Sequence, residues 1–529
     1  MKRQRIRIPK ARRSGGALLF ALAAVILFAV AQPTSAELAQ SHSVQEEPAA
    51  LGGIPMEVIQ RPIPLRGDLS TVRHPVSTES SRARAYHEQG LTYLHLYGYL
   101  NAARSFHAAL RLDPDLAAAR MGLALAYRRL ARNDPDGQEQ VREMAARAVT
   151  AVGGAPDEGE TNGADGEWVR LHAARLGLDE VPGAGDADSI RKLVARATER
   201  HPGDTELLML KAGGRPTDER KAVYHEVLAN HPDHPGAHHM LVHLNERRDG
   251  DVSLAVEHGE ALARLAPSVA HARHMWGHNL RRVGRVAEAI REFEAARDIE
   301  HSLERAEGIP VRYDWHHPHN LALLGMSYHH QGRIGEAETV FRELAKLPAE
   351  EDRRRLGQRM SLLELQLTQA RWNDARAQAR RWVEAESALL QAAGHLYKGF
   401  VHLGSGAPER AAEALAEADH HLPDGRHPMA FHESALTVLL SYIEDQEPDV
   451  EGLEELLDDL RARPGPDAWA RAHMHMEILA QVGWVTRQLD VVDLVAQALR
   501  EHDPHYPGGR YWTERLAAER SDPGRQPPL

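Results

Sequence analysis

The sequence predicts an all-α fold, a solenoid of stacked helix-turn-helix units. Three observations carry that prediction. Beyond about residue 80, apolar residues recur at helical spacing, with almost none of the apolar–polar alternation that a half-buried strand needs. The chain is self-similar at a period of about 34 residues. The copies follow one consensus punctuation: a small residue on the first helix, an aromatic three positions on, Ala and Phe on the second helix, and Pro after it.

Ahead of the repeats, Lys2, Arg3, Arg5, Arg7, Lys10, Arg12 and Arg13 form a basic stretch, Ala17 to Ala31 an uncharged apolar one, and Thr34-Ser35-Ala36 a small-residue cleavage site. This pattern over residues 1–36 reads as a secretory signal peptide, with an uncleaved anchor as the alternative, and implies a periplasmic or extracellular address. No cysteine follows, which excludes a lipoprotein anchor. Losing those residues removes seven positive charges and no acidic ones, taking the formal charge from −12 to −19. So acidic a mature chain is unsuited to nucleic acid or anionic lipid. Zero cysteines also rule out disulfides, thiolate ligands and a cysteine nucleophile. Residues 37–80, rich in Pro, Ser and Glu without periodicity, are expected to be a disordered linker or tail.

The first repeat is complete: Gly90, Tyr93, Ala102, Phe106, Ala109 and Pro114. Gly277, Gly284, Ala289, Phe293 and Ala296 give a second copy; Gly325, Tyr328, Gly332, Ala337 and Phe341 a third; and Gly399, Gly406, Ala411, Leu415, Ala418 and Pro423 a fourth. Weaker copies centre on Ala255 and Ala375. Small residues let the paired helices approach, the aromatic fills the gap and Pro ends the unit. No hairpin buries its apolar face alone, so stacking stabilises the array. Three blocks are expected: residues 81–230 with an irregular Gly/Asp/Glu-rich loop from Gly153 to Glu167, a His-rich block at 231–350, and C-terminal repeats at 351–515, followed by a polar tail at 516–529. Arg297 to Pro318 reads as an insertion between good copies, placed where it can fold over the groove.

This period and punctuation are those of the tetratricopeptide repeat, and the chain resembles that family over its repeat region. A narrower resemblance lies in His234-Pro235-Gly236-Ala237-His238-His239 with His243 and Glu246, in His274-Met275 and His278 before Arg282-Val283-Gly284, and in Pro318-His319-Asn320-Leu321. These segments resemble the HPGAxHxxIHxxE, HMPxHIxxRVG and YPHNLHF motifs of an exported bacterial tetratricopeptide-like subgroup. The chain departs from the subgroup pattern at Trp276, Gly277 and Ala322. The resemblance implies a right-handed superhelical solenoid with a concave ligand face. It lends a motif and no reaction.

Histidine is the unusual feature. Residues 225–330 hold 16 of the 33 histidines. His271, His274 and His278 stand at i, i+3 and i+7, one stripe of a helix. In the repeat frame they occupy first-helix positions 2, 5 and 9, which face the groove, while His319, His329 and His330 take positions 2, 12 and 13 of the next unit and His87 and His95 take 5 and 13 of the first. Groove-facing and packing positions lie about 130° apart around the helix, too far for a small register error to confuse them. His239 and His243 fall on positions 4 and 8, the packing side, although their i, i+4 spacing suits chelation, and the pattern leaves their facing open.

Imidazole ligates Zn, Cu, Fe and Ni, and an exported thiol-free protein favours Cu or Zn. The expected metal ligands are His239, His243, His274, His278 and His319, and more than four histidines allow two ions. Glu246, His271, Arg281, Arg282, His329 and His330 are expected to line the groove, with Arg281 and Arg282 placed to meet an anionic group. The plainer alternative is that the groove histidines stack on and hydrogen-bond to a peptide, protein or small ligand, or are simply solvated. His316-His317 and His420-His421 read as exposed loop residues. In His473-Met474-His475-Met476 successive side chains diverge on a helix, which favours buried Met beside exposed His over a copper tract. Trp276, Trp315, Tyr313 and Tyr328 are candidates for groove walls or core. No phosphate loop, nucleophile elbow or dinucleotide fingerprint occurs, so no catalytic residue is assigned. Three functions stay open: a groove holding a His-ligated metal and a ligand, a metal-free interaction scaffold, and a hydrolytic or oxidative metalloenzyme.

Overall fold

A computed structural model describes residues 49–153, 163–179, 181, 183–247, 249–347, 353–423, 427–444, 448–463 and 466–521. The expected signal segment 1–36 and the end of the polar tail lie outside the described residues. The described chain is built from helices, from Met56–Ile59 to Pro507–Ser521, with one two-residue antiparallel pairing, Ala50–Leu51 against Ile54–Pro55. Beyond residue 80 the helices form successive antiparallel hairpins, each packed on the next: an α-helical solenoid of tetratricopeptide type. None of the described helices is long and apolar enough to cross a membrane.

The repeat punctuation explains the packing. Ser80 caps the first hairpin's opening helix, Ser81–His95, its hydroxyl accepting the Ala83 N–H at 3.1 Å. The second helix, Tyr99–Leu112, drives Phe106 between Gly90 and Gly122, so that a methyl built on Gly90 would sit 2.6 Å from the ring. The Phe293 ring meets Gly277 in the same way. Because Gly122 blocks the far side of Phe106, the ring has nowhere to yield. Gly90→Ala should therefore incur the upper part of the roughly 1–3 kcal/mol of overpacking, offset by about 1 kcal/mol of helix propensity. A net loss of about 2 kcal/mol is expected in urea unfolding, and an unchanged or raised midpoint would refute this account of the repeat glycine.

Three expectations need correction. Residues 49–80 are no loose tail: Leu51, Ile59, Ile63 and Val72 are buried in the core of the first repeats. Composition misleads there because the segment borrows its backbone partners from the repeats. The Arg66 N–H donates to Gln89 Oε1 at 2.8 Å, Val72 N–H to Thr92 Oγ1 at 2.9 Å and Ser70 N–H to the Leu265 carbonyl at 2.8 Å. The 297–318 insertion is largely a lengthened second helix, Val286–Glu307, closed by Gly308 at φ 66° and followed by the 3-10 turn Val311–Tyr313. Its end is tied to the N-terminal segment and the first repeat by Glu307, which pairs with Arg66 of the segment and Arg104 of the repeat, and by Arg61, which donates to the Gly308 carbonyl at 2.6 Å. At the other terminus the last helix runs on to Ser521 with Leu516 buried, so the fold extends past the expected boundary at 515. The expected loop after Gly153 lies mostly outside the described residues, and a helix resumes at Ala164.

Candidate metal centre

The first helices of three consecutive hairpins, Pro235–Asn245, Ala270–Arg282 and His316–His330, build the site. Local chemistry sets where the first begins. His234 is its N-cap, with Nδ1 accepting the Ala237 N–H at 3.1 Å, and Pro235 supplies a first-turn position whose N–H is not needed. Gly236 lets the His95 ring approach, since a Cβ there would lie 2.7 Å from it. That approach delivers the His95 carbonyl to the His239 Nδ1–H at 2.6 Å.

Two triads of imidazoles result. His239, His243 and His271 bring one ring nitrogen each within 4.8 Å of one another, and His274, His278 and His319 do the same. The triads adjoin, with the His271 and His274 ring centres 5.8 Å apart. Glu246 links them: its Oε1 accepts the His243 Nδ1–H at 2.6 Å and its Oε2 lies 3.8 Å from His278 Nδ1. His239, His271, His274 and His278 are buried, whereas the His243 side chain keeps 32% of its exposure and His319 is half-buried. Each triad thus has one member toward solvent.

Three rings are oriented through Nδ1. His239 donates to a backbone carbonyl, His243 to Glu246, and His274 to Asn320 Oδ1 at 2.9 Å. The amide of Asn320 is itself fixed, because its Nδ2 donates to the Phe293 carbonyl at 2.9 Å. In each ring Nδ1 is the donor and Nε2 is turned inward. His239 Nε2 meets His271 Nε2 at 3.0 Å, while His243 Nε2, His271 Nδ1 and His274 Nε2 are buried without a hydrogen-bond partner among the described residues. Burial, reinforced by neighbouring imidazoles, holds His239, His271 and His274 well below the usual histidine pKa, so these rings are neutral donors at neutral pH. Burial works to raise the Glu246 carboxyl, but the hydrogen bond from His243 and the neighbouring His278 imidazole outweigh it and hold the group well below the usual carboxylate range.

The walls are aromatic. Tyr97 lies with its ring centre 4.6 Å from His239 and 5.4 Å from His271. Its backbone has φ 58°, a left-handed conformation that costs a non-glycine residue energy and that clusters at functional sites. Trp315, from the expected insertion, donates its indole N–H to the Tyr97 carbonyl at 2.9 Å and lies 5.7 Å from His271, ring centre to ring centre. Of the other aromatics, Trp276 packs against Gly259 and the Tyr328 hydroxyl donates to Glu294, both away from the triads.

The structure brings all five expected ligands together, with His271 and Glu246 among them. It also shows how His239 and His243 face: their helix packs on the first repeat, and both rings join His271. His329 and His330 do not reach the centre. Ten residues beyond His319, they lie about 15 Å further along the helix and pack against the C-terminal repeats. Arg282 donates to the Glu246 carbonyl, whereas Arg281 stacks on Trp469 at 5.0 Å, away from the triads. His87 pairs with buried His74 at 3.0 Å, and His95 with Glu206 at 3.0 Å.

His316 and His317 overturn the exposed-loop expectation, being 2% and 0% exposed. The preceding helix runs on far enough to place Glu300 beneath them, and each donates through Nδ1 to one of its oxygens at 2.6 Å. The His316 ring centre lies 4.5 Å from His274 and 5.0 Å from His271, and its Nε2 has no hydrogen-bond partner among the described residues. Sequence reasoning missed this seventh imidazole. A carboxylate one helix earlier was the available signal. His420 is exposed, as expected. In the 473–476 tract both methionines are buried as expected, but His473 and His475 are buried too, turned to different carboxylates, Asp503 and Glu364.

No family model and no curated protein matches the chain. Among solved structures it is similar to the human IFIT1 dimer with PPP-AAAA, at 16% identity over 64% of this chain and 72% of that one, with a TM-score of 0.35. Yeast Tom70 shows 10% identity over 84% and 91%, with a TM-score of 0.28. The APC/C hetero-tetramer Cut9–Hcn1 shows 11% identity over 82% and 84%, with a TM-score of 0.29.

Proposed function

We propose that this chain is a repeat scaffold that holds two transition-metal ions side by side, one in each histidine triad, and offers them to a small ligand or peptide in the groove. The observation that carries the reading is the set of imidazoles whose Nδ1 atoms are engaged by a carbonyl, a carboxylate and an amide and whose remaining nitrogens converge. Metal-bound histidines are oriented in this way by a carbonyl, carboxylate or amide behind them. Nitrogens on one tetrahedral ion stand about 3.3 Å apart at ordinary bond lengths, so triads already within 4.8 Å need small ring rotations to close. Three protein ligands per ion leave a coordination position open, as in reactive rather than structural sites. His243 and His319, partly exposed, mark where a ligand enters. Imidazole without thiolate favours copper or zinc.

A bound ion with an open position polarises or activates what binds there, which keeps hydrolytic or oxidative chemistry as the second reading. The strained Tyr97 backbone against the first triad favours it over a purely structural role. The leader-like residues 1–36 support an address outside the cytoplasm.

Elemental analysis of the full chain, expressed with copper and zinc supplied, tests the proposal. About two ions per chain in these triads are expected; trivial metal content in folded protein leaves only the metal-free scaffold. A finer prediction concerns orientation. Asn320→Ala removes the group that fixes His274 without removing a ligand, and metal affinity should fall 10–100-fold while the far-UV circular dichroism stays native. Unchanged affinity in a competition titration would contradict the assigned role of Asn320.

A further inference from the structure

A second donor set lies where the His316–His330 helix meets the C-terminal repeats. His330 ends one helix, His473 lies within the helix Pro466–Val485, Asp503 caps the end of a third, and all three are buried. One nitrogen of each histidine and one oxygen of Asp503 lie within 4.8 Å of one another. His330 Nε2 is 3.0 Å and His473 Nε2 3.1 Å from the same oxygen, Oδ2. The other oxygen, Oδ1, accepts the His505 N–H at 2.9 Å, which fixes the carboxylate with Oδ2 toward the rings.

His473 is over-committed. Its Nδ1 points at the Ala470 carbonyl at 3.1 Å and its Nε2 at Asp503 Oδ2, both acceptors. A neutral imidazole has one proton for two acceptors. Either the ring is an imidazolium, or a cation stands between Nε2 and the carboxylate. Both rings meet Oδ2 through Nε2, so three buried donor atoms from three helices converge on one point.

We propose that His330, His473 and Asp503 bind a divalent first-row transition-metal ion at a site separate from the paired triads. Two imidazoles and a carboxylate are a recognised donor set for zinc or ferrous iron with open positions. With Nδ1–H of His473 donating to Ala470, its Nε2 lone pair is the ligand, and the conflict at Asp503 becomes coordination. The groups facing the site are Arg281, His329, His502 and the Tyr506–Glu477 pair, in which the tyrosine hydroxyl donates to the carboxylate at 2.8 Å. The Tyr506 ring covers His473 and His330 at 4.6 and 4.9 Å between centres. The cation of Arg281 opposes a bound metal and favours an anionic ligand on its open side.

The experiment is zinc-edge anomalous diffraction from crystals of the unaltered full chain equilibrated with a few equivalents of Zn2+. A peak about 2.0–2.2 Å from Asp503 Oδ2 is expected, independently of any peaks in the histidine triads. Well-ordered protein without that peak overturns the proposal, whatever the triads hold, and peaks in the triads alone would leave the central reading standing. Asp503→Asn and His330→Ala should each lose this one ion and keep those in the triads; retention of the ion by both overturns the assignment. Should either variant fail to fold, the diffraction result on the unaltered chain still decides. Nitrogen-15 shifts supply the competing outcome: an imidazolium at His473 that zinc does not change would make the cluster an ion pair and sink the metal site.

Discussion

A chain with His274 and His278 both replaced by alanine should carry one ion fewer in its central site than the native chain, while His239→Ala with His243→Ala should remove the other. Each double change leaves its triad a single imidazole, His319 or His271, which cannot chelate. The expectation of independent losses rests on the two substituted pairs lying on different helices, His239 and His243 on one repeat and His274 and His278 on the next. The fold should survive, because a repeat array sums its stability over hairpin contacts and each change touches one first helix. Circular dichroism checks that, and metal per chain reads the result. If neither double variant changes the metal content, the paired centre is wrong. If one variant loses all the central metal, the triads act as one unit, with Glu246 and His316 as the connecting groups.

Metal-free protein should lose stability steeply as the pH falls from about 6.5. The sign follows from which state takes the proton first. His475 and His329 are buried, and burial, with His330 and Arg281 adding to it at His329, brings both to about 3. The unfolded chain, with ordinary imidazoles, protonates first. The stability these residues contribute is therefore full above 6.5 and is lost as the pH falls toward 3. At pH 5.5 each accounts for about 1.4 kcal/mol, so the pair accounts for roughly 3 of the 5–15 kcal/mol a folded protein has to spare. Glu300 adds a later loss. Burial opposes its ionisation, but the hydrogen bonds from His316 and His317 bring it to about 2, so its contribution is full above 4.5 and fades below. His95 and His317 run the other way, raised by Glu206 and Glu300 against the effect of burial, and their contribution is lost as the pH rises through their folded pKa. A denaturant midpoint that does not move between pH 7.5 and 5.5 would show that the buried imidazoles are charged in the folded state.

The repeat period, the Gly–Phe contacts and the stripe of His271, His274 and His278 were legible because each is a local relation. Helical spacing sets the facing of residues on one helix, and the 34-residue frame carries that facing from hairpin to hairpin. The motif glycine and proline at 235–236 were visible too, but not their work, since the reason for Gly236 is the ring of His95, far away in the chain. Facing failed where a hairpin packs outside its own frame. His239 and His243 sit at packing positions of their unit and still enter the centre, because the helix they belong to lies against the first repeat.

By itself the sequence determined that the chain is a helical-hairpin solenoid, that it has no thiols, and that its histidines concentrate on successive first helices. Tertiary structure decided which histidines meet. It split the expected single cluster into two triads, carried His329 and His330 to another site, buried His316 and His317 over Glu300, and turned an apparent tail into core. The physical reason is range. Spacing along a helix fixes direction over a few turns, whereas the partner that fixes a buried imidazole, such as the His95 carbonyl for His239 or Asn320 for His274, arrives from a distant segment and is set by how whole hairpins stack.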